Sequence, residues 1–333
     1  LRVLSIRSNH LRGGLPPWLL GLLNLALGSS DFSGNLLRTD DPELNNFITN
    51  VQQGGAWTWE YVFPYYSEDT SSPWRFTSFA FSNQSAETAS HYALEFFDLD
   101  GAAVGDAVIE ILPGQQKALQ GRELWLCEEP QPGCAASVPD EHNWNGWVRV
   151  TFDTEKTRAF FLFADGDDRM DGGVPARELV QRLVFTRTPA TLRGIPVESV
   201  YHIVNPSSEP STLRLALFDA DGRLVTETSK DLGALSALRG STQDLMEDTT
   251  VDGYLVVEVT EGSGVTGFQT IESESPGTLI GLTPWSDLGV DRLYGAQMVH
   301  IPDALYTSLR LVNMGEEAAE IDLTAVLTSL DGN

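Results

Sequence analysis

A pattern of strands and turns occurs three times along this chain and constrains its fold more than any other feature of the sequence. In each copy an apolar run ends in Asn and is followed by a polar turn, an alternating strand and an acidic turn that ends in Gly. The copies are residues 76–101, 200–222 and 306–332, with Asn83, Asn205 and Asn313 in one position and Gly101, Gly222 and Gly332 in another. Their spacing of roughly 110 to 120 residues is the length of one β-sandwich domain.

The repeated alternation of apolar and polar residues, with Gly, Asp and Pro at the turns, predicts an all-β fold rather than a βαβ layout. We expect tandem antiparallel β-sandwich repeats, in which Gly146 aligns with Gly253 and Ala159 aligns with Thr266. The predicted organisation is a leucine-rich remnant at 1–38, a linker with one short helical turn at 39–56, sandwich units at 57–187 and 188–292, and a partial third unit at 293–333.

The chain is strongly acidic, and this limits the partners that it can bind. Its formal net charge is −26, and it has only three lysines among 333 residues. Such a charge repels phosphate backbones and anionic lipid surfaces, so we expect no nucleic-acid partner and no membrane insertion. The hydrophobic content of 41% is enough for a folded chain with sizeable cores.

The first 36 residues carry a regular leucine spacing. Seven residues recur 21 positions later: Leu1, Leu4, Ile6, Asn9, Leu11, Gly13 and Leu15 correspond to Leu22, Leu25, Leu27, Ser30, Phe32, Gly34 and Leu36. The segment resembles leucine-rich repeats of the type with a Leu-Pro step after the Asn ladder. This resemblance implies a solenoid in which the leucines fill the core and Asn9 hydrogen-bonds backbone groups.

Two turns of a solenoid cannot bury both of their ends, so we interpret this segment as the tail of a longer solenoid. The alternative is a secretion signal, because three arginines precede the apolar residues 15–27, namely Arg2, Arg7 and Arg12.

From residue 76 onward, the repeated motifs resemble those of tandem β-sandwich modules in bacterial secreted and surface proteins. The shared features are the Val-Asn-Pro strand end at 204–206, the Asp-x-Asp-Gly turn at 219–222 and the aromatic Gly-Phe strand at 267–268. The resemblance implies Ig-like structure and an extracellular or cell-surface location, and it brings no catalytic residue with it.

Residues 57–66 form a dense aromatic block. Four aromatic side chains alternate, so a strand places them on one face: Trp57, Trp59, Tyr61 and Phe63. If exposed, Trp57, Trp59, Tyr61 and Tyr65 would stack on the sugar rings of glycans. A core position is favoured, because large aromatic side chains usually bury their area.

Residues 167–178 match the spacing of a calcium-binding loop, with Asp167, Asp171 and Glu178 as candidate ligands. Arg169 stands in the third position, where a carboxylate ligand belongs. The second unit keeps the Gly and the Pro of this segment at 281 and 284 but none of its carboxylates. We therefore favour a backbone turn over a metal site, and we expect no cofactor.

The sequence favours a non-enzymatic function. Its five histidines lie far apart, it has no Gly-x-Ser-x-Gly motif, and its many carboxylates single out no catalytic pair. We expect an extracellular or cell-surface structural or adhesion protein whose sandwiches act as spacers or assemble by strand pairing. The alternatives are a carbohydrate-binding module that uses residues 57–66 and an accessory region of a secreted hydrolase.

The partial unit at 293–333 supplies only two or three strands, which cannot bury an apolar face alone. Their open edges would pair with protein partners or with other copies of the chain, unless the natural chain continues past Asn333.

Cys127 and Cys134 are the only cysteines, and they lie in one short segment with two prolines and a glycine. Such a segment folds back easily, so a disulfide is sterically reasonable, and the alternative is a pair of free thiols. A disulfide indicates an extracytoplasmic location.

We predict that these two cysteines are bridged and that the closed loop stabilises the fold by up to about 2–3 kcal/mol. Intact-mass measurement of alkylated protein, with and without reductant, checks this. Two alkylated thiols in the unreduced protein would contradict it.

Overall fold

A computed structural model describes residues 1–9, 11–54, 56–69, 75–125, 143–165, 169–188, 191–192, 194–246, 251–273, 278–284, 300–301, 305–306 and 312. Cys127, Cys134 and Asp167 lie outside the described residues, as does most of the partial unit at 293–333. The expectations for these residues therefore stay predictions.

The N-terminal module, residues 1–57, is a stack of parallel rungs. Its elements are β1 (Arg12–Gly14), a 3₁₀ helix (Pro17–Gly21), β2 (Leu36–Arg38) and α1 (Pro42–Val51). Strand β1 pairs with β2 in parallel, and single parallel bridges join Ser5 to Asp31 and Ser30 to Gln52. The buried core consists of Leu15, Leu19, Leu25, Phe32, Leu37, Leu44, Ile48, Val51 and Trp57.

The register of these rungs differs from the predicted one. Ser5 pairs with Asp31 and Arg12 pairs with Leu36, so the offsets are 26 and 24 residues rather than 21, and Asn35 takes the place expected for Ser30. The buried Asn35 side chain accepts the backbone N–H groups of Asn9 and Leu11 at 3.0 and 3.1 Å, and it donates to the carbonyl of Phe32 at 2.9 Å. A carboxamide has two N–H donors and an acceptor oxygen, whereas a serine hydroxyl has only one donor.

Residues 39–56, predicted as a linker with one short helical turn, contain the ten-residue helix α1. The Asp41 carboxylate caps its first turn by accepting the N–H groups of Glu43 and Leu44 at 2.9 and 3.2 Å. Leu44, Ile48 and Val51 follow a helical spacing and are fully buried in the module core. The segment therefore covers one end of the stack instead of forming a free connection.

The first sandwich consists of two four-stranded antiparallel sheets with the orders β3-β8-β5-β6 and β10-β9-β4-β7. Its elements are β3 (Trp59–Asp69), β4 (Arg75–Asn83), β5 (Ser90–Asp98), β6 (Ala103–Ile111), β7 (Gln116–Gln120), α2 (Gly121–Trp125), β8 (Asn143–Phe152), β9 (Thr157–Asp165) and β10 (Met170–Gly173). Aromatic side chains dominate the core between the sheets, including Phe63, Phe79, Phe81, Tyr92 and Phe161.

The second sandwich has sheets of order β11-β18-β15-β16 and β17-β14-β19-β20 around an aliphatic core. Its elements are β11 (Arg182–Thr188), β12 (Thr191–Leu192), β13 (Ile195–Pro196), β14 (Glu198–Val204), β15 (Ser211–Asp219), β16 (Leu224–Leu232), β17 (Ala237–Ser241), α3 (Thr242–Met246), β18 (Gly253–Glu261), β19 (Thr266–Ser273) and β20 (Thr278–Leu282). Strands β12 and β13 form a small hairpin, and so do β21 (His300–Ile301) and β22 (Leu305–Tyr306).

The two sandwiches share one strand order, and the all-β class is confirmed. Even a break in the β3–β8 pairing between Phe63 and Tyr66 recurs in the β11–β18 pairing between Phe185 and Thr188. An immunoglobulin constant domain divides seven strands into sheets of four and three, whereas each of these sandwiches has two sheets of four. Eight strands in two sheets is the strand count of a jelly roll, and the Ig-like part of the prediction is not confirmed.

Pairing also corrects the predicted alignment by one residue. Ser82 pairs with Arg158 in the first sandwich, and Val204 pairs with Thr266 in the second, so Arg158 rather than Ala159 corresponds to Thr266. A shift of one residue moves every side chain of a strand to the opposite face. Phe160, exposed on the outer face of β9, therefore corresponds to Phe268.

The repeated Asn holds the turn that follows the second strand of each sandwich. The Asn205 amide donates to the carbonyls of Glu209 and Gly233 at 2.8 and 2.9 Å, and its oxygen accepts the N–H of Ser207 at 3.1 Å. Asn83 makes the corresponding three bonds in the first sandwich. The repeated Asp also serves a turn, because Asp219 accepts the N–H groups of Asp221 and Arg223.

We predict that Asn205→Ala lowers the free energy of unfolding by about 2–4 kcal/mol, because it leaves buried backbone groups without partners. Urea unfolding at neutral pH checks this. Asn24→Ala, at an exposed position, is the matched control and should change stability by less than about 0.5 kcal/mol. Equal effects of the two substitutions would contradict the turn assignment.

Candidate functional site

A small cleft of about 270 Å³ opens at one edge of the first sandwich. Strand β3 contributes Tyr61, strand β9 contributes Arg158 and Ala159, and the segment after β10 contributes the other three lining residues, Val174, Pro175 and Arg177. That segment is held against β3 by a pair of backbone bonds between Val62 and Ala176, at 2.9 and 2.8 Å. The cleft is therefore built on anchored backbone.

The polar groups of the cleft converge on one backbone oxygen. The Thr157 carbonyl accepts the Tyr61 hydroxyl at 3.0 Å, Arg158 Nη1 at 2.8 Å and Arg177 Nη2 at 2.9 Å. Arg177 also donates to the Tyr61 hydroxyl, and its guanidinium lies 4.9 Å from the centroid of the Tyr61 ring. A carbonyl oxygen has two lone pairs, so the three donors at the Thr157 oxygen exceed the acceptor positions of that oxygen.

The two guanidinium groups are close to each other and have no anionic partner within the described residues. Because their nitrogens share one oxygen, they lie within about 6 Å of each other, a distance at which like charges repel. Elsewhere in the described chain, Arg214 meets Glu227 at 2.6 Å and Glu258 at 2.8 Å. An arrangement that is rich in donors and in positive charge can bind an anion.

A second charged cluster lies between the N-terminal module and the first sandwich. Arg149 is 1% exposed, and it pairs with Asp40 at 2.7 Å and with Glu95 at 3.2 Å, while Arg38 pairs with the same two carboxylates at 2.8 and 2.6 Å. Glu60 lies beside this network. Burial raises the pKa of the Glu60 carboxyl to about 7, against the attraction of Arg149.

The predicted aromatic residues are mostly core residues. Tyr61 and Tyr65 are buried in the core of the first sandwich, and Trp59 packs against that core, half-buried. Trp57 precedes β3 and packs into the N-terminal module instead, where its indole N–H donates to Asn45 at 3.2 Å. Burial of Trp57, Tyr61 and Tyr65 leaves them no open ring face for stacking on sugars, although Tyr61 lines the cleft.

Of the candidate calcium ligands, Asp171 and Glu178 are within the described residues. The Asp171 carboxylate accepts the N–H of Gly172 at 2.8 Å and the N–H of Gly281 at 2.7 Å, so it joins the two sandwiches. Glu178 is exposed. In the described part of the chain, no group of three or more His, Cys, Asp or Glu side chains is arranged to hold a metal ion.

Sequence reasoning missed Arg158 and Arg177. They are 19 positions apart, each lies in a stretch without a recognisable motif, and only the return of the chain after β10 brings them together. In the part of the chain that the structure describes, neither arginine has a carboxylate within 4 Å, and this is visible only in three dimensions.

No protein-family model and no curated protein matches this chain. Among solved structures, the chain is similar to the crystal structure of Thermotoga maritima 1070, with 14% sequence identity and a TM-score of 0.28. The match covers 34% of this chain and 99% of that one, and at this score it carries no argument about fold or function. Within the described residues, no helix is long and apolar enough to span a membrane.

We predict that Glu60→Gln stabilises the protein at pH 8 by about 2 kcal/mol and changes little at pH 4.5. The folded state keeps the Glu60 proton up to about pH 7, whereas the unfolded chain loses it near pH 4.5, so wild-type stability falls as the pH rises between these values. Urea unfolding at both pH values checks this, with the exposed Glu87→Gln as control. The same pH response in both variants would contradict it.

Proposed function

We propose that this protein is a non-enzymatic structural or adhesion protein of the cell surface or extracellular space, whose sandwiches act as rigid spacers. The observation that carries the proposal is the contact between the two sandwiches, which is packed like a domain core. A spacer has to transmit orientation, and a buried contact does so where a flexible linker does not.

Phe268 is the centre of this contact. It belongs to β19 of the second sandwich, yet it is fully buried against Tyr65, Phe161 and Phe163 of the first, with ring centroids 5.9, 5.0 and 5.7 Å away. Aromatic pairs at such distances contribute about 0.5–1.5 kcal/mol each beyond their buried area.

His202 lies opposite Phe268 in the pairing of β14 with β19, on the same outer face. The ring centroids of His202 and Tyr65 are 4.8 Å apart, in an edge-to-face arrangement. Burial, together with the positive charge of Arg239, lowers the pKa of His202 to about 3, so the imidazole is neutral at physiological pH. The contact therefore buries a neutral aromatic surface.

A second contact surrounds Trp147 of the first sandwich. Its ring stacks on Phe97 at 4.4 Å, and its indole N–H donates to the carbonyl of Leu235 in the second sandwich at 3.0 Å. Leu235 has a positive φ of 55°, at the position where the first sandwich has Gly114. A leucine in this conformation costs about 1–2 kcal/mol, which its packing at the joint offsets.

The segment that connects the two sandwiches pairs with a strand of each of them. Ala176 pairs with Val62 of the first sandwich, and four residues later Val180 pairs with Val265 of the second. This leaves no free linker at this point of the described chain, and the two sandwiches are expected to move as one body.

The N-terminal module, which we propose is the end of a leucine-rich-repeat region, is tied to the same body. Arg38 reaches Glu95 of the first sandwich at 2.6 Å, and Ser208 of the second sandwich donates to the carbonyl of Asp40 at 2.9 Å. A recognition surface on this module would be held at a fixed orientation.

The proposal includes assembly with protein partners or other copies through strand edges. The edge strand β16 carries Glu227, Lys230 and Asp231, and such charges discourage edge-to-edge pairing. The proposed site of assembly is the partial unit at 293–333, as the sequence predicts. Light scattering over a range of concentrations, with and without residues 293–333, tests this. A strictly monomeric chain that is unaffected by the deletion would end the assembly hypothesis.

We predict that the two sandwiches unfold in one calorimetric transition and that Phe268→Ala lowers the midpoint or splits the transition. Removing a buried Phe costs about 3–5 kcal/mol, and here the loss falls on the joint. Phe160→Ala is the matched control, since Phe160 holds the corresponding position on the first sandwich and is 47% exposed. Two separate transitions in the wild type, unchanged by Phe268→Ala, would overturn the rigid-spacer proposal.

The proposed location has its own test. Protease added to intact cells that make the protein should digest it while cytoplasmic proteins stay intact. Full protection from the protease would refute a surface location.

A further inference from the structure

We propose that the cleft lined by Tyr61, Arg158 and Arg177 is a binding site for the carboxylate group of a small organic acid. This inference is independent of the spacer role, because it concerns one edge of the first sandwich and not the joint. Three observations support it: the surplus of donors, the unpaired positive charge, and the different solution to the same edge in the second sandwich.

The first observation is the shortage of acceptors at the Thr157 carbonyl, where a hydroxyl and two guanidinium groups donate to one oxygen. Arg158 and Arg177 together carry ten N–H donors, and they make four hydrogen bonds to the described residues. A carboxylate brings two oxygens with about four acceptor positions and suits the planar fork of a guanidinium.

The second observation is the charge of the cleft. The chain has a net charge of −26, and nevertheless both arginines lack a carboxylate within 4 Å in the part of the chain that the structure describes. Two cations held on one oxygen repel each other, and a bound anion would relieve that repulsion. Both side chains are exposed, so a ligand can reach them from solvent.

The third observation comes from the second sandwich, which closes the same edge with backbone bonds between Val180 and Val265. By strand pairing, Leu183 corresponds to Tyr61 and Val265 corresponds to Thr157. The Val265 carbonyl accepts the backbone N–H of Val180 at 3.0 Å, an ordinary sheet-like bond. Thr266 takes the place of Arg158, so the fold does not require a tyrosine at 61 or an arginine at 158 to close this edge.

The walls of the cleft indicate an organic acid rather than an inorganic anion. Ala159, Val174 and Pro175 present apolar surface beside the arginines. The volume of about 270 Å³ is just below the usual range for small-molecule sites, so it limits the ligand to about the size of one sugar ring. A sugar acid matches both the cationic and the apolar parts of the lining.

The test is calorimetric titration of the full chain with D-glucuronate, with D-glucose as the neutral control ligand. We expect saturable millimolar binding of glucuronate, no binding of glucose, and at least tenfold weaker glucuronate binding in Arg158→Gln. Arg223→Gln is the control variant, because Arg223 is also exposed and lies on the second sandwich. Its affinity for glucuronate should equal that of the wild type.

Arg177→Lys provides a second variant that keeps the charge but loses the fork, and it should weaken binding at least threefold. Thermal unfolding of each variant shows that a loss of binding is not a loss of fold. No saturable binding of glucuronate, or equal affinity in wild type and Arg158→Gln, would overturn the proposal. Equally tight binding of inorganic phosphate or sulfate would also overturn it, by showing an unspecific anion site.

Discussion

Phe268 belongs to the second sandwich by its position in the chain and to the core of the first by its packing. The arrangement of the two sandwiches depends on this contact, because it makes the outer face of one sheet an inner surface. Strand β14 is consequently buried on both faces, with Tyr201 and Ile203 inward and Val200, His202 and Val204 outward. A sheet that is buried on both faces cannot turn independently of its neighbour.

The two sandwiches show how one strand order is adapted to different uses. At the outer face of the seventh strand, Phe160 is exposed where Phe268 is buried. At the turn before the fifth strand, Gly114 has the left-handed conformation without strain, whereas Leu235 adopts it and contacts Trp147. At the open edge of the first sandwich, side-chain donors surround the Thr157 carbonyl. At the same place in the second sandwich, the backbone of Val180 pairs with Val265. The differences fall at the joint and at the cleft.

The arginines of the chain occupy two very different environments. Arg149 is nearly fully buried, yet it is matched by Asp40 and Glu95 and lies 5.2 Å from the Phe97 ring centroid. Removing one partner from such a network would leave a buried charge without compensation. The arginines of the cleft are the opposite case, because they are solvent-accessible and have no carboxylate partner in the described residues.

The sequence by itself determined the all-β class and the turns, because period-two alternation and the Asn and Asp-Gly positions depend on local backbone chemistry. Asn205 and Asp219 bond groups within a few residues or in the neighbouring turn, so their pattern could be read along the chain. The leucine spacing suggested a repeat but gave the wrong register, since Asn35 acts on backbone 24 and 26 residues earlier. Only the tertiary structure decided that Phe268 packs in the core of the first sandwich and that Arg158 and Arg177 donate to the same carbonyl oxygen. These contacts join segments whose separation along the chain carries no periodic signal.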